Sequence, residues 1–443
     1  MHTLLLCGGS GQRLWPLSNE IRSKMFLELL PSPDGGLESM IGRVCRQLTS
    51  QGLDQTALFI THQDQIGLTK RYTKDYIQVL GEPQKKGTFH AAALGALYLY
   101  STGKAKLNET ICVAPADMFA DDSFFEHFAN FPHILNTSHM DITLLGTRPT
   151  FPSDQYGYIV PGNSASNEYS SVLRFQEKPS ISEAQSLIKQ NALWNCGVFA
   201  FSLQFMLTYL SKIGLPTSFQ EFLTIYPQLP IQSFDKEVVE RTAKLAVVRH
   251  VGEWRDMGSW EAMTNQLKES VTGLGGISGD SSNTHIINVL DSPLYVIGVP
   301  NIVAIASPDG ILIANKQKAN SIKEIIGGLG NRPIYGEMLW GNYLILDRIE
   351  ITEDVTQAVY TIKLSMIANQ KTLEMCSQHY SKIWTFLAGH GEILLNDVLQ
   401  AVQAGDVFTI APGVRHEIHA VTAMEWIEVR IGSGMSSEGI YSG

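Results

Sequence analysis

Through the first half of the chain, apolar residues fall in short runs of strand length, with helix-spaced stretches between them. Leu4-Leu5-Leu6 is the first run, and it breaks into Cys7-Gly8-Gly9-Ser10-Gly11. From Leu37 to Leu48 the positions Met40, Ile41, Val44 and Leu48 keep helical spacing. Ala57-Leu58-Phe59-Ile60-Thr61 predicts the next strand, and Tyr76 to Leu80 another. An Ala/Leu-rich helix is expected from Ala91 to Tyr100. Thr110 to Ala114 and Ile142 to Gly146 read as further buried strands. Strands alternating with helices predict an α/β fold, a mostly parallel sheet covered on both faces. Ligands of such sheets bind beyond the carboxyl ends of the strands. The glycine-rich turn and Asp117, after Pro115-Ala116, take such positions.

From Val271 the pattern changes. Gly273-Leu274-Gly275-Gly276 opens a Gly/Ser/Asn-rich stretch to Asn283, which reads as a linker. Short strands are expected at His285 to Leu290, Leu294 to Val299, Ile302 to Ala306 and Ile311 to Ala314, then a helix from Ser321 to Leu329. The last hundred residues alternate as an all-β domain, for example at Tyr360 to Leu364, Ile383 to Leu387, Glu392 to Leu395 and Val407 to Ile410. The expected division is 1–268, 269–331 and 332–443, and the length of 443 residues suits two or three domains.

Composition narrows the partners. The net charge of −10 disfavours nucleic acid, which wants a basic face. An anionic ligand must then be drawn by a local positive cleft. Five scattered cysteines without a CxxC pair suit a reducing cytoplasm. No basic leader precedes the first apolar run and no span of 18 apolar residues occurs, so neither a signal peptide nor a membrane helix is expected.

The opening turn is the first candidate for chemistry. Three glycines within four positions allow positive φ and a close approach to backbone N–H groups. Arg13 and Lys24 add cations, so the stretch reads as a cradle for a polyphosphate. It is not a P-loop, because no Gly-Lys-Ser/Thr run is present. Nor is it a dinucleotide fingerprint, because Leu14 stands where the third glycine belongs and Trp15-Pro16 follows. A purely structural turn is the plainer alternative.

The full string Gly8-Gly9-Ser10-Gly11-Gln12-Arg13-Leu14-Trp15-Pro16-Leu17-Ser18, with Ser23-Lys24-Met25-Phe26, resembles the signature of sugar-1-phosphate nucleotidylyltransferases, most closely the mannose-1-phosphate guanylyltransferase branch. Tyr156-Gly157-Tyr158-Ile159, Phe175-Gln176-Glu177-Lys178-Pro179, Trp194-Asn195-Cys196-Gly197 and Trp254-Arg255-Asp256-Met257-Gly258 follow in the family's order. The resemblance implies a Rossmann-like nucleotidyltransferase domain. It implies attack by a sugar-1-phosphate oxygen on the α-phosphorus of an NTP, GTP by this branch, with mannose-1-phosphate as the sugar. Pyrophosphate leaves.

By the same resemblance Gly8, Gly9, Ser10, Gly11, Gln12, Arg13, Glu82, Thr88 and Asp117 bind the nucleotide. Tyr156, Gly157, Glu177, Lys178 and Asn195 bind the sugar phosphate. Asp117 and Asp256 hold Mg²⁺, and with Arg13 and Lys24 they make the catalytic set. A helix cap for Asp117 and a turn aspartate for Asp256 are the structural alternatives. Gln12, Ser23, Met25, Cys196 and the run Lys85-Lys86-Gly87-Thr88 depart from the family pattern. A different sugar or base, or a silent nucleotide-sugar-binding regulator, therefore stays open.

Residues 269–331 resemble the family's β-rich connector. Trp340-Gly341-Asn342-Tyr343 and the run Gly405 to His416 resemble the cupin β-barrel of phosphomannose isomerases fused to this transferase. Aligned on Trp384, the four metal-ligand places of such a cupin hold Ser377, His379, Lys382 and His416. A lysine ammonium has no lone pair and repels a metal. The expectation is a cupin without isomerase activity, with a structural role such as dimerisation. Cys376 and His419 are the residues that would rescue a metal site in another register. A homodimer is expected.

Overall fold

The computed structural model describes residues 1–9, 11–19, 21–73, 77–164, 168–326, 333–352 and 356–433. The chain forms two compact units. Met1–Gly11 and Ser23–Lys268 make the first, and Gln12–Arg22 and Glu269–Gly443 the second.

A nine-stranded sheet organises the first unit. Its order is Gln78–Glu82, Ala57–His62, His2–Leu6, Thr110–Pro115, Leu193–Ser202, Ile142–Thr147, Leu245–His250, Ser170–Gln176 and Tyr158–Ser164. The four strands nearest the glycine turn run parallel, as does the pair Ile142–Thr147 with Leu245–His250. Leu193–Ser202 enters antiparallel between them, so the sheet is mixed. Alternate strand residues Leu4, Leu58, Ile60, Ile111 and Val113 share one core with the helix Thr88–Ser101. The residues between them, Leu5, Phe59 and Cys112, are equally buried. Both faces are therefore covered, which is why these strands read as unbroken apolar runs. Gly95 lets the helix lie close, since a Cβ there would stand 2.4 Å from the Ile60 side chain.

The third strand starts later than its pattern suggests, at Gln78, and Tyr76 lies outside the described residues. Of the helix expected over 321–329, Ile322–Ile326 is observed and 327–329 lie outside the described residues.

In the second unit, short parallel strands coil around a small core of Ile286, Val296 and Ala304. The segment Gln12–Arg22 packs into this unit. Trp15 lies against Gly310, where a Cβ would meet the indole at 2.5 Å. Ser307 Oγ donates to Pro16 O at 2.8 Å, and Asn19 Nδ2 to Asp309 Oδ2 at 2.7 Å. The Leu-Trp-Pro-Leu-Ser run of the signature is thus a packing element of the second unit. The remainder is a cupin-like barrel of two antiparallel sheets. One is Tyr335–Glu337, Gly341–Thr352, Thr356–Met366, Met424–Ser433, Tyr380–Ala388 and Val407–Ile410, and the other is Val398–Gln403, His390–Leu395 and His416–Ala420. Tyr360, Ile362, Trp384, Phe386, Ile393, Ile418 and Trp426 fill it.

Candidate functional site

Three of the four groups assigned to the catalytic set meet in the first unit. Lys24 opens the short 3₁₀ turn Lys24–Phe26. Asp117 sits between the core strand Thr110–Pro115 and the short strand Met118–Ala120. Asp256 ends the strand Trp254–Asp256, which pairs antiparallel with Met118–Ala120 and places Asp256 opposite Met118. This two-stranded ribbon is what brings two aspartates, 139 positions apart in the sequence, side by side. Lys24 Nζ reaches Asp117 Oδ2 at 2.8 Å and Asp256 Oδ1 at 3.4 Å.

The glycines make room for this arrangement. Gly11 has φ +63°, and a Cβ on it would stand 2.8 Å from Lys24 N. A Cβ on Gly9 would come within 3.3 Å of Asp117 Oδ2. Arg13, the fourth member, is carried by the turn Gln12–Leu14 of the segment that packs into the second unit. Ser10 and the Gln12 side chain lie outside the described residues.

The electrostatics are one-sided. Burial works against the Lys24 charge, but Asp117 and then Asp256 outweigh it and hold the ammonium well above its ordinary range. The lysine side chain is 8% exposed, whereas the carboxylates are 28% and 42% exposed. With Lys24 counted, the cluster keeps one negative charge in excess, on carboxylates still open to solution. Mg²⁺ binds through one or two carboxylates, with phosphate oxygens and water completing its shell, so the donor set fits it. Among the described residues no three His, Cys, Asp or Glu side chains gather to hold a metal by themselves.

Of the remaining nucleotide candidates, Glu82 ends the strand Gln78–Glu82 and is buried. Tyr226 Oη donates to its Oε2 at 2.8 Å, and a Cβ on Gly8 would lie 3.6 Å from its Oε1. Burial raises the Glu82 pKa, and the tyrosine hydrogen bond opposes this. Thr88 starts the helix Thr88–Ser101, and its hydroxyl accepts from Phe234 N at 2.9 Å.

The sugar-phosphate candidates gather separately. Asn195 N donates to Gly157 O at 2.8 Å. A Cβ on Gly157 would stand 2.6 Å from Glu177 Oε2, so only glycine fits beside that carboxylate. Lys178, at φ +47°, turns its Nζ to 3.2 Å from Glu177 Oε1. Tyr156 packs on Trp194 with ring centroids 4.7 Å apart.

Two residues here escaped the sequence reading. Asp235 Oδ1 accepts from Asn195 Nδ2 at 2.7 Å, and Glu240 Oε1 accepts from Glu177 N at 3.2 Å. Asp235 opens a one-turn π-helix, Asp235–Val239, which Glu240 caps, and neither stands in a motif. The one available signal was a carboxylate directly after Phe234 among polar and charged neighbours, which is too common to single out.

The barrel holds a second polar cluster. Lys382 Nζ lies 2.8 Å from His416 Nε2 and 3.8 Å from Glu428 Oε2. Trp384 Nε1 donates to Glu428 Oε2 at 2.6 Å, and Arg430 pairs with Glu428 Oε1. His416 Nδ1 faces Val414 O at 2.9 Å, which leaves Nε2 as the acceptor for the ammonium. Of the four ligand places, those of Lys382 and His416 are thus joined to each other, and His379 is exposed. Cys376 is exposed, and His419 lies outside the cluster, near Glu392.

Comparison with known proteins places these features. The nucleotidyl transferase family model matches residues 2–271. A mannose-1-phosphate guanylyltransferase of Salmonella typhimurium, RfbM, is 24% identical over 99% of this chain and 95% of its own length. One from Klebsiella pneumoniae is 25% identical over 99% and 97%, and the Pseudomonas fluorescens alginate biosynthesis protein AlgA is 25% identical over 99% and 95%. A crystal structure from Thermus thermophilus, described as mannose-1-phosphate geranyltransferase, is 27% identical and superposes with a TM-score of 0.63. It covers 74% of this chain and 98% of that one. The matched region takes in more than half of the chain, including the glycine turn, Lys24 and both aspartates, and this chain belongs to the nucleotidyl transferase family.

Proposed function

We propose that the protein transfers a guanylyl group from GTP to mannose-1-phosphate, giving GDP-mannose and pyrophosphate, with Mg²⁺ as cofactor. The observation that carries this reading is the bridge from Lys24 to Asp117 and Asp256. The nucleophile is a phosphate oxygen that is already an anion near neutral pH, because the second pKa of a phosphate is about 6. The protein therefore needs no base. It must hold two anions in line and spread the developing charge. Lys24 meets the charge at the α-phosphate, and Arg13 takes the triphosphate. Asp117 and Asp256 would hold the magnesium ion, which supplies charge neutralisation on the phosphate oxygens.

Glu177 and Asn195 take sugar hydroxyls, and Lys178 takes the sugar phosphate. Glu82 supports GTP as the nucleotide. A carboxylate only accepts when ionised, and guanine offers two adjacent N–H donors on one edge. The parts 1–268, 269–331 and 332–443 act as transferase, connector and barrel in this reading. Five free cysteines support a cytoplasmic setting. Among the described residues no helix is long and apolar enough to cross a membrane. Exposed apolar side chains on the connector, Tyr295, Ile297, Ile311 and Ile313, support a homodimer.

The test crosses several NTPs with several sugar-1-phosphates in the presence of Mg²⁺ and reads pyrophosphate. GTP with mannose-1-phosphate should give the highest kcat/KM, and Asp256→Ala should lower release by about 10²- to 10³-fold. Unchanged release in that variant, or none from any pair with the wild type, defeats the reading.

A further inference from the structure

The strand Leu193–Ser202 breaks register between Asn195 and Phe199, and Gly197 turns to φ +70°. Asn195 is thereby left with its side chain beside the irregular backbone. Its Oδ1 accepts from Gly197 N at 3.1 Å, and its Nδ2 donates to Asp235 Oδ1 at 2.7 Å. An amide held at both ends has one orientation, because flipping it would set donor against donor and acceptor against acceptor. Asp235 is itself fixed. The preceding Phe234 stacks on Phe199 and Phe201, with centroids 4.7 and 5.5 Å away. Phe234 N donates to Thr88 Oγ1, and Glu240 N closes the π-turn onto Asp235 O at 2.9 Å. The far end of the turn reaches the other sugar-site group, since Glu240 Oε1 accepts from Glu177 N at 3.2 Å. Single π-turns are rare and gather at functional sites.

We propose that the turn from Asp235 to Glu240 is the positioning wall of the sugar-phosphate site, with Asp235 acting through the Asn195 carboxamide and Glu240 through the backbone at Glu177. This rests on the transferase reading above and adds to it the residues that set sugar specificity. Among the described residues the charged groups facing Asp235 are Glu177 and Lys178, and the side chain that hydrogen-bonds its carboxylate is Asn195. Burial first, and then the Glu177 charge, push the Asp235 carboxyl up to about 7. Asp235 therefore gives up a proton within the working range, which adds negative charge beside the groups that meet a sugar phosphate.

The test is steady-state kinetics with both substrates varied. Asp235→Ala should raise KM for the sugar-1-phosphate about tenfold or more and leave KM for the NTP within about twofold. Asp235→Asn keeps the oxygen that Asn195 donates to and should return sugar KM to within about threefold of wild type at pH 6. From pH 6 to pH 8 the wild-type sugar KM should rise relative to Asp235→Asn, which has no proton to lose. In an Asn195→Ala background, Asp235→Ala should cost nothing more. Additive losses, equal rises in both KM values or identical pH profiles would overturn the proposal. Should Asp235→Ala fail to fold, Glu240→Ala on the exposed end of the turn carries the test, with about a threefold rise in sugar KM alone. Wild-type turnover is the control: its absence defeats the transferase reading, whereas normal turnover with unchanged sugar KM in both variants defeats this one.

Discussion

Lys24 and Lys382 are both buried and both sit against carboxylates, yet their charges are driven in opposite directions. At Lys24 burial is outweighed by Asp117 and Asp256, and the ammonium is held. At Lys382 burial dominates, Glu428 offsets only part of it, and Arg430 adds repulsion, so its pKa falls to about 8. The difference lies in the count of neighbours. Lys24 is one cation among two carboxylates, which remain partly open. Among the described residues Lys382 and Arg430 both lean on the Glu428 carboxylate, and all three are almost sealed. The first cluster has carboxylate oxygens to offer a divalent ion. The second sets two cations in the path of an incoming metal and meets it with repulsion. One arrangement suits a site that ligands complete, and the other a core that is finished without them.

The largest expected effect tests the first half of this contrast. Removing either partner of the open cluster should lower kcat by about 10²- to 10³-fold, the usual loss for one electrostatic group at a reacting centre. The two losses should differ in their metal dependence. Asp256→Ala removes an oxygen ligand, so the Mg²⁺ concentration for half-maximal rate should rise. Lys24→Met removes a competing cation, so Mg²⁺ should raise Tm more in this variant than in wild type. If Mg²⁺ leaves Tm unmoved in both proteins, the cluster is not short of a cation and the contrast fails.

The next effect concerns the sealed cluster. Glu428→Gln removes the carboxylate that the buried Lys382 and Arg430 both pair with, and should cost the barrel about 3–5 kcal/mol in denaturant unfolding. Lys382→Met leaves a one-to-one pair, Glu428 with Arg430, and should cost clearly less. A count of pairs alone gives Glu428 two and Lys382 one, so the charge account further requires the Lys382→Met loss to fall well below half of the other. Equal losses would thus refute the charge account.

Much of the open cluster was legible because its residues stand in short strings after apolar runs. Gly8, Gly9 and Asp117 follow strands that the apolar pattern marks well, whereas Asp256 was reached through the family resemblance. The ribbon pairing Trp254–Asp256 with Met118–Ala120 was not legible, because strands this short carry no periodicity. The placement of Gln12–Arg22 in the second unit was hidden for a related reason. A run that follows the glycine turn gives no sign of which unit it packs into, and the contacts of Trp15, Pro16 and Asn19 come from 290 and more residues away. In the barrel, Lys382 was found as an altered ligand place and His416 as a kept one. Glu428 and Arg430 were missed because they sit at inward positions of Met424–Ser433, alongside Trp426. Inward charges break the apolar-in, polar-out alternation by which such a strand is read. Asp235 was missed because its partner, Asn195, lies on another element and no local pattern joins them.

The smallest effect is a difference in acid sensitivity between the two regions. Burial and the Lys382 charge push His416 down to about 4 from its ordinary 6.5. Its folded form therefore resists a proton that the unfolded chain takes, and the barrel loses stability as pH falls from 6.5 towards 4. Glu428, whose burial is overcome by Arg430 and Lys382, stands at about 2 against an ordinary 4.5, so it extends the loss in the same direction below pH 4.5. Each such group contributes a slope of at most about 1.4 kcal/mol per pH unit. Asp235 works the other way. Its folded carboxyl takes a proton at about 7, whereas the ordinary value is 3.8, so the region around it gains stability as pH falls through that window. Hydrogen exchange at pH 7 and at pH 5 should therefore show faster exchange at pH 5, after correction for the intrinsic rate, in His416–Ala420 and Met424–Ser433. Residues 235–240 should stay protected. Protection lost in both regions together would mean that His416 and Asp235 do not shift stability in opposite directions. His416→Gln, which cannot titrate, should remove most of the barrel's change between those two values.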